Sequence, residues 1–88
     1  MYYVYILLSL RDFRFYTGLT NDISRRLKEH MTGHTHSTKR MGELKLIYYE
    51  VFINQEDAKR RERYFKTTKG KKTLKLMLRD TLLHSGVV

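Results

Sequence analysis

The 88-residue sequence predicts a single domain of mixed α/β (α+β) class. Three observations carry that reading. Two strand-like runs near the N-terminus flank a short polar turn. A third such run returns at residues 44–52, and apolar residues recur at helical spacing after the second and third runs. The chain has no proline, which fits regular structure with short connections.

Tyr3 to Leu8 is rich in Tyr, Val, Ile and Leu and reads as a well-buried strand. Ser9, Leu10, Arg11 and Asp12 form a tight turn, and Phe13 to Thr17 supplies a second strand, antiparallel to the first. Gly18 is expected to end that strand, where a missing Cβ permits a sharp turn or a close approach to the backbone. Thr20, Asn21 or Asp22 caps the helix that follows, whose inner side is expected to carry Ile23, Leu27, His30 and Met31. Thr32 to Gly42 reads as a polar loop, and Leu44 to Phe52 as a third strand completing a small sheet. Asn54 starts a second helix, with Asp57 near the positive end of its dipole and Ala58, Arg61, Glu62 and Phe65 on one stripe. Gly70 is expected to separate this helix from a shorter one holding Leu74, Met77 and Leu78. The domain is placed at residues 1–82, with 83–88 a short C-terminal tail.

Eighteen basic residues against nine acidic give a formal charge of +9, so nucleic acid is the first partner to consider; a charged, solvated surface is the plain alternative. The absence of cysteine rules out disulfides and thiolate metal sites and fits a reducing compartment. The sequence opens directly into a strand, with no apolar stretch of spanning length, so a cytoplasmic location without membrane attachment is expected.

Tyr5 and Tyr16 lie across the predicted hairpin, where sheet pairing can aim both hydroxyls at the start of the first helix. Tyrosine can donate or accept a hydrogen bond, and a phenolate formed near positive charge can take a proton from water, although tyrosine also simply packs well in strands. Arg26 returns toward the sheet edge two turns after Gly18, where a guanidinium can neutralise phosphate oxygens or remain solvated. His30 follows one turn later, able to orient a hydroxyl, relay a proton or sit satisfied in the core. Glu62 is an inward carboxylate: either a hard oxygen ligand for magnesium or the partner of a nearby base such as Arg26 or Arg61. His30, His34 and His36 miss the common zinc spacings and lack a fourth ligand. The basic run from Lys59 to Lys72 offers phosphate-backbone contacts through Lys59, Arg63, Lys66, Lys69, Lys71 and Lys72, with Arg25 a further contact on the first helix. Such contacts position a nucleic acid without reading its bases.

The ordered combination of Tyr3–Leu7 (YVYIL), Tyr16–Gly18 (YTG), Leu19–His30 (LTNDISRRLKEH), STKR, LIYYE and Ala58–Phe65 (AKRRERYF) resembles the GIY-YIG nuclease superfamily over about residues 2–80. The likeness is to its small single-domain bacterial branch, similar to the N-terminal domain of the excinuclease incision subunit. By motif position, Tyr5 and Tyr16 match the two half-motif tyrosines and Gly18 the closing glycine. Arg26 matches the catalytic arginine, His30 the histidine often found a turn later, and Glu62 the metal-binding glutamate. Tyr3 stands where a glycine is common, and Lys69–Gly70 occupy the region of an asparagine carried by longer members. The resemblance implies a three-stranded antiparallel sheet flanked by helices and metal-dependent phosphodiester hydrolysis, with magnesium the usual ion and manganese an alternative. It favours DNA over RNA, in repair or processing, with a targeting protein as a further partner. The leading reading is therefore a magnesium-dependent endonuclease, and the alternative is a noncatalytic nucleic-acid-binding protein that keeps the fold.

Overall fold

The computed structural model describes residues 1–33 and 38–85. Their elements run β1 (Tyr2–Ser9), β2 (Phe15–Thr20), α1 (Ile23–Met31), β3 (Leu44–Phe52), α2 (Gln55–Phe65), α3 (Thr68–Met77) and α4 (Arg79–His84). The fold is α+β, with one three-stranded antiparallel sheet in the order β2-β1-β3. His34 and His36 lie outside the described residues.

Alternation along the central strand β1 sorts its side chains onto two cores. Val4, Ile6 and Leu8 face α2, α3 and α4, where they pack with Ala58, Phe65, Leu74, Leu78 and Leu82. Tyr5 and Leu7 face the other way, toward Ile23 and Leu27 of α1 and toward Met41. Phe65 is fully buried, which contributes about 1.5–3 kcal/mol for a side chain of its size. A bulge between Ile6 and Leu7 in the β1–β3 register lets the consecutive residues Ile47 and Tyr48 both pack on the α2 side.

Asp22 caps α1, its carboxylate accepting from the Arg25 amide at 3.1 Å, and Asn54 caps α2 by accepting from the Glu56 amide at 2.8 Å. Met31, expected on the inner side of α1, is half exposed instead, as the last residue of that helix.

The hairpin also differs from its expected bounds. Phe13 belongs to the turn, with φ of 58°, and β2 begins only at Phe15. A left-handed backbone at a bulky residue costs about 1–3 kcal/mol. It is held by the buried Ser9, whose carbonyl accepts from the Phe13 amide at 2.7 Å and whose hydroxyl donates to the Met41 carbonyl at 2.6 Å.

Both glycines singled out in the sequence act by close approach, and neither ends its element. Gly18 is interior to β2 and pairs with Tyr5. A Cβ there would lie 2.2 Å from Tyr5 Cζ. The break after α2 falls at Lys66 and Thr67, and Gly70 sits in the first turn of α3. The Thr67 side chain caps α3, accepting from the Gly70 amide at 3.0 Å. A Cβ on Gly70 would lie 1.9 Å from the Tyr64 carbonyl oxygen, so the tight α2–α3 crossing requires a glycine there. Met77, expected among the inner residues after that break, is 44% exposed at the end of α3.

Candidate active site

The absent side chain of Gly18 leaves the end of the Tyr5 ring lying across β2. Tyr5 is 1% exposed, and its oxygen is 2.8 Å from His30 Nε2. His30, also buried, has Nδ1 at 2.8 Å from Thr38 Oγ1. Thr38 is itself 2% exposed, so these three groups form a hydrogen-bonded chain out of bulk water. Tyr16, two register positions from Gly18 on the same face, sets its ring edge-on to His30 with centroids 5.1 Å apart.

Arg26 stands beside the Tyr5 hydroxyl and also pairs with Glu29 at 3.1 Å. Burial pushes the Tyr5 phenol up to about 12, against the opposing pull of Arg26. Burial, with Arg26 second, holds His30 below the ordinary imidazole range. The histidine is therefore neutral at pH 7 and carries one ring proton. A guanidinium beside the hydroxyl has no acceptor to offer it, so the phenol proton is assigned to Nε2 and the Nδ1–H to Thr38 Oγ1. That arrangement gives each of these donors a partner.

Glu62 reaches the same neighbourhood from α2, near enough for its charge to act on the Tyr5 phenol. Its side chain is 21% exposed and pairs with Lys66 Nζ at 3.3 Å. The base that engages Glu62 is thus Lys66, and Arg61 is committed elsewhere. Arg61 Nε and Nη2 hold both oxygens of Glu50 at 2.8 and 2.9 Å, while its Cζ lies 4.2 Å from the Phe65 ring centre. Ala58, Arg61 and Phe65 share the core-facing side of α2, and Glu62 stands at its edge.

Among the described residues no three His, Asp or Glu side chains gather into a metal site. Glu62 is nonetheless a partly exposed carboxylate whose charge reaches the Tyr5 phenol, and one carboxylate completed by waters and substrate phosphate suits magnesium. Lys66 is exposed enough to yield its place.

The proposed phosphate contacts divide into two sets. Arg25 pairs weakly with Asp22 at 3.8 Å, Lys59 with Glu56 at 3.6 Å, and Lys66 with Glu62. Arg63, Lys69, Lys71 and Lys72 are exposed and make no ion pair among the described residues. The three lysines lie within α3, not around a helix break as expected. Arg25 and Arg26 also line a concavity with Thr20, Asn21 and Gln55 at the C-terminal end of β2. No described helix is long and apolar enough to cross a membrane.

Two functional-looking residues escaped sequence reasoning. Thr38 was visible only as part of STKR, since nothing local says that it faces His30 from eight residues away. Glu50 was visible only as the last residue of LIYYE, and only the packing of α2 on the sheet brings Arg61 to it.

Residues 1–75 match the GIY-YIG catalytic domain. A UPF0213 protein of Clostridium perfringens is 40% identical over 78 residues, covering 88% of this chain and 83% of that protein. One from Limosilactobacillus reuteri is 39% identical over 80 residues, with 88% and 82% covered. The solution NMR structure of a UPF0213 protein from Bacillus halodurans superposes with a TM-score of 0.55 at 34% identity, covering 88% of this chain and 85% of that one. On fold, motif order and relatives together, the chain belongs to the GIY-YIG family and has its nuclease-like catalytic domain.

Proposed function

We propose that the protein is a metal-dependent endonuclease that hydrolyses DNA phosphodiester bonds at the Tyr5–His30–Arg26 cluster. The observation that carries this reading is the Tyr5 hydroxyl, held 2.8 Å from a neutral, buried His30 and beside an arginine. Tyr48 also donates to an acceptor, but that acceptor is a carboxylate already held by Arg61, whereas His30 is neutral and can take up the phenol proton.

Tyr5 takes a proton from the attacking water while its own proton passes to His30 Nε2. The phenol at about 12 is a poor base if it must ionise first, so the concerted transfer matters: no free phenolate has to accumulate. Thr38 accepts from Nδ1–H and keeps Nε2 free to receive. Arg26 neutralises the charge gathering on the non-bridging phosphate oxygens. Tyr16, edge-on to His30, helps hold the ring in place and lines the approach of the water. Glu62 would hold the divalent ion, magnesium or manganese, which supplies charge neutralisation at the phosphate and the leaving oxygen. Lys69, Lys71 and Lys72, with Arg63 and Arg25, hold the backbone electrostatically.

The engagement of Glu62 by Lys66 favours one rival: a nucleic-acid-binding protein whose carboxylate is already paired and which does not cleave. Purified wild-type and Glu62→Ala protein incubated with supercoiled DNA, in magnesium or in EDTA, separates the two. Nicks that need both magnesium and Glu62 support the nuclease. Binding without nicks under every divalent ion tried would leave the binding protein.

A further inference from the structure

A second concavity, of about 400 Å³, lies at the hairpin end of the molecule, lined by Phe13, Arg14, Phe15, Met41, Lys71 and Lys75. It falls in the size range of small-ligand sites. Its residues come from the β1–β2 turn and the start of β2, from Met41 ahead of β3, and from one face of α3, where Lys71 and Lys75 are a turn apart. Neither lysine makes an ion pair among the described residues, and the single carboxylate bound to a lining cation is Asp12, at 2.9 Å from Arg14. Like charges at this spacing repel, and a shared anion relieves them.

Phe13 gives the pocket a second kind of partner. It is 44% exposed although bulky and apolar, and it holds a φ of 58° that glycine or asparagine would adopt with less strain. The buried Ser9 pins the turn on both sides, through the Phe13 amide and through the Ser9 amide donating to the Arg14 carbonyl at 2.9 Å. The ring is thereby presented beside three cations. A π-face flanked by positive charge suits an unstacked base with its phosphate. A continuous duplex keeps its bases stacked inside and offers no such face.

The two concavities sit at opposite ends of the edge strand β2. One holds Arg25 and Arg26 with polar neighbours, and the other holds Phe13 with Arg14, Lys71 and Lys75. Phe15 and Gly18, where Tyr5 crosses, are three residue steps apart along the strand, about 10 Å. We propose that the substrate strand runs along β2 with an unpaired nucleotide seated against Phe13 and its phosphate among Arg14, Lys71 and Lys75. This deepens the nucleic-acid reading above and rests on it: the preferred substrate has a single-stranded flank next to the scissile bond.

The test is binding in EDTA, by fluorescence anisotropy, of a blunt DNA duplex and of the same duplex carrying a single-stranded flap. Wild type binds the flapped probe more tightly. Phe13→Gly relieves the turn and raises thermal stability, yet weakens flapped-probe binding about tenfold or more while leaving the blunt duplex unchanged. Phe13→Trp restores the preference. Lys71→Ala and Lys75→Ala each flatten the salt dependence of log affinity for the free flap strand by roughly 0.7. Equal affinity of wild type for both probes, or a Phe13→Gly variant that keeps the preference or loses both probes alike, overturns the pocket. Phe13-dependent flap preference without magnesium-dependent nicking leaves the pocket and removes the nuclease; nicking with no dependence on Phe13 does the reverse.

Discussion

The sheet carries two tyrosine–arginine clusters, one on each face, and they have opposite characters. On the α2 side, Tyr48 donates to Glu50 at 2.5 Å and Arg61 closes both oxygens of that carboxylate. On the α1 side, Tyr5 meets His30 and Arg26. Both phenols are pushed up to about 12, by burial foremost in each case. A raised phenol is therefore not what distinguishes a site. The difference lies in the acceptor. Burial alone would raise Glu50, but its bonds to Arg61 and Tyr48 hold it below the usual carboxylate range, so that cluster is charge-compensated and complete. The Tyr5 acceptor is a neutral ring able to take one more proton, and Arg26 opens onto a concavity. The first arrangement stabilises the fold; the second has capacity left for chemistry.

Paired substitutions break that comparison most sharply. Tyr5→Phe is expected to lower the nicking rate per folded molecule on the order of 10²–10⁴-fold, beyond the roughly 1 kcal/mol of stability lost with its hydrogen bond to His30. Tyr48→Phe is expected to cost a similar amount of stability, about 1 kcal/mol, with the rate per folded molecule unchanged. If Tyr48→Phe proved the more damaging to nicking, the site would have been put on the wrong face. The arginines give a somewhat smaller contrast. Arg26→Ala is expected to cost roughly 10²–10³ in rate. Arg61→Ala leaves the half-buried Glu50 with Tyr48 but without its cation, costing about 1–3 kcal/mol in denaturant titrations; no rate deficit is expected once the folded fraction is matched.

How far these clusters were legible depends on how local their causes are. The strands at Tyr2–Ser9 and Leu44–Phe52, the caps at Asp22 and Asn54 and the first helix follow from neighbouring residues, and the sequence showed them to within a few positions. Tyr5, Tyr16, Arg26 and His30 could be brought to one place on paper because a hairpin followed by a helix fixes their relative positions. Gly18 was misread as the end of a strand, since its lack of a side chain serves Tyr5, thirteen residues away and directly across the sheet. Gly70 was misread for the same kind of reason: its neighbour is a carbonyl of the preceding helix. Glu50–Arg61 and His30–Thr38 depend on pairings eleven and eight residues apart whose geometry only the packed chain defines. The left-handed Phe13 left no signal in composition, because the turn chemistry at that position favours smaller residues.

Thr38 sharpens the contrast by the smallest expected effect, because it touches the relay without meeting substrate. In wild type, nicking should be level through neutral pH and fall as His30 gains its proton, below the ordinary imidazole value of about 6.5. A profile that instead rises tenfold per pH unit through neutrality would mean that Tyr5 must ionise alone, and the relay would fail. Imidazolium donates from both nitrogens, so Thr38→Val removes a partner of the charged ring in particular and lowers its pKa further. The acid limb then moves to lower pH while the plateau drops about tenfold, as for loss of a supporting hydrogen bond. Thr38→Ser keeps the hydroxyl and should restore both. A residue that only filled space would be rescued by valine, nearly its equal in shape, and would leave the limb where it was.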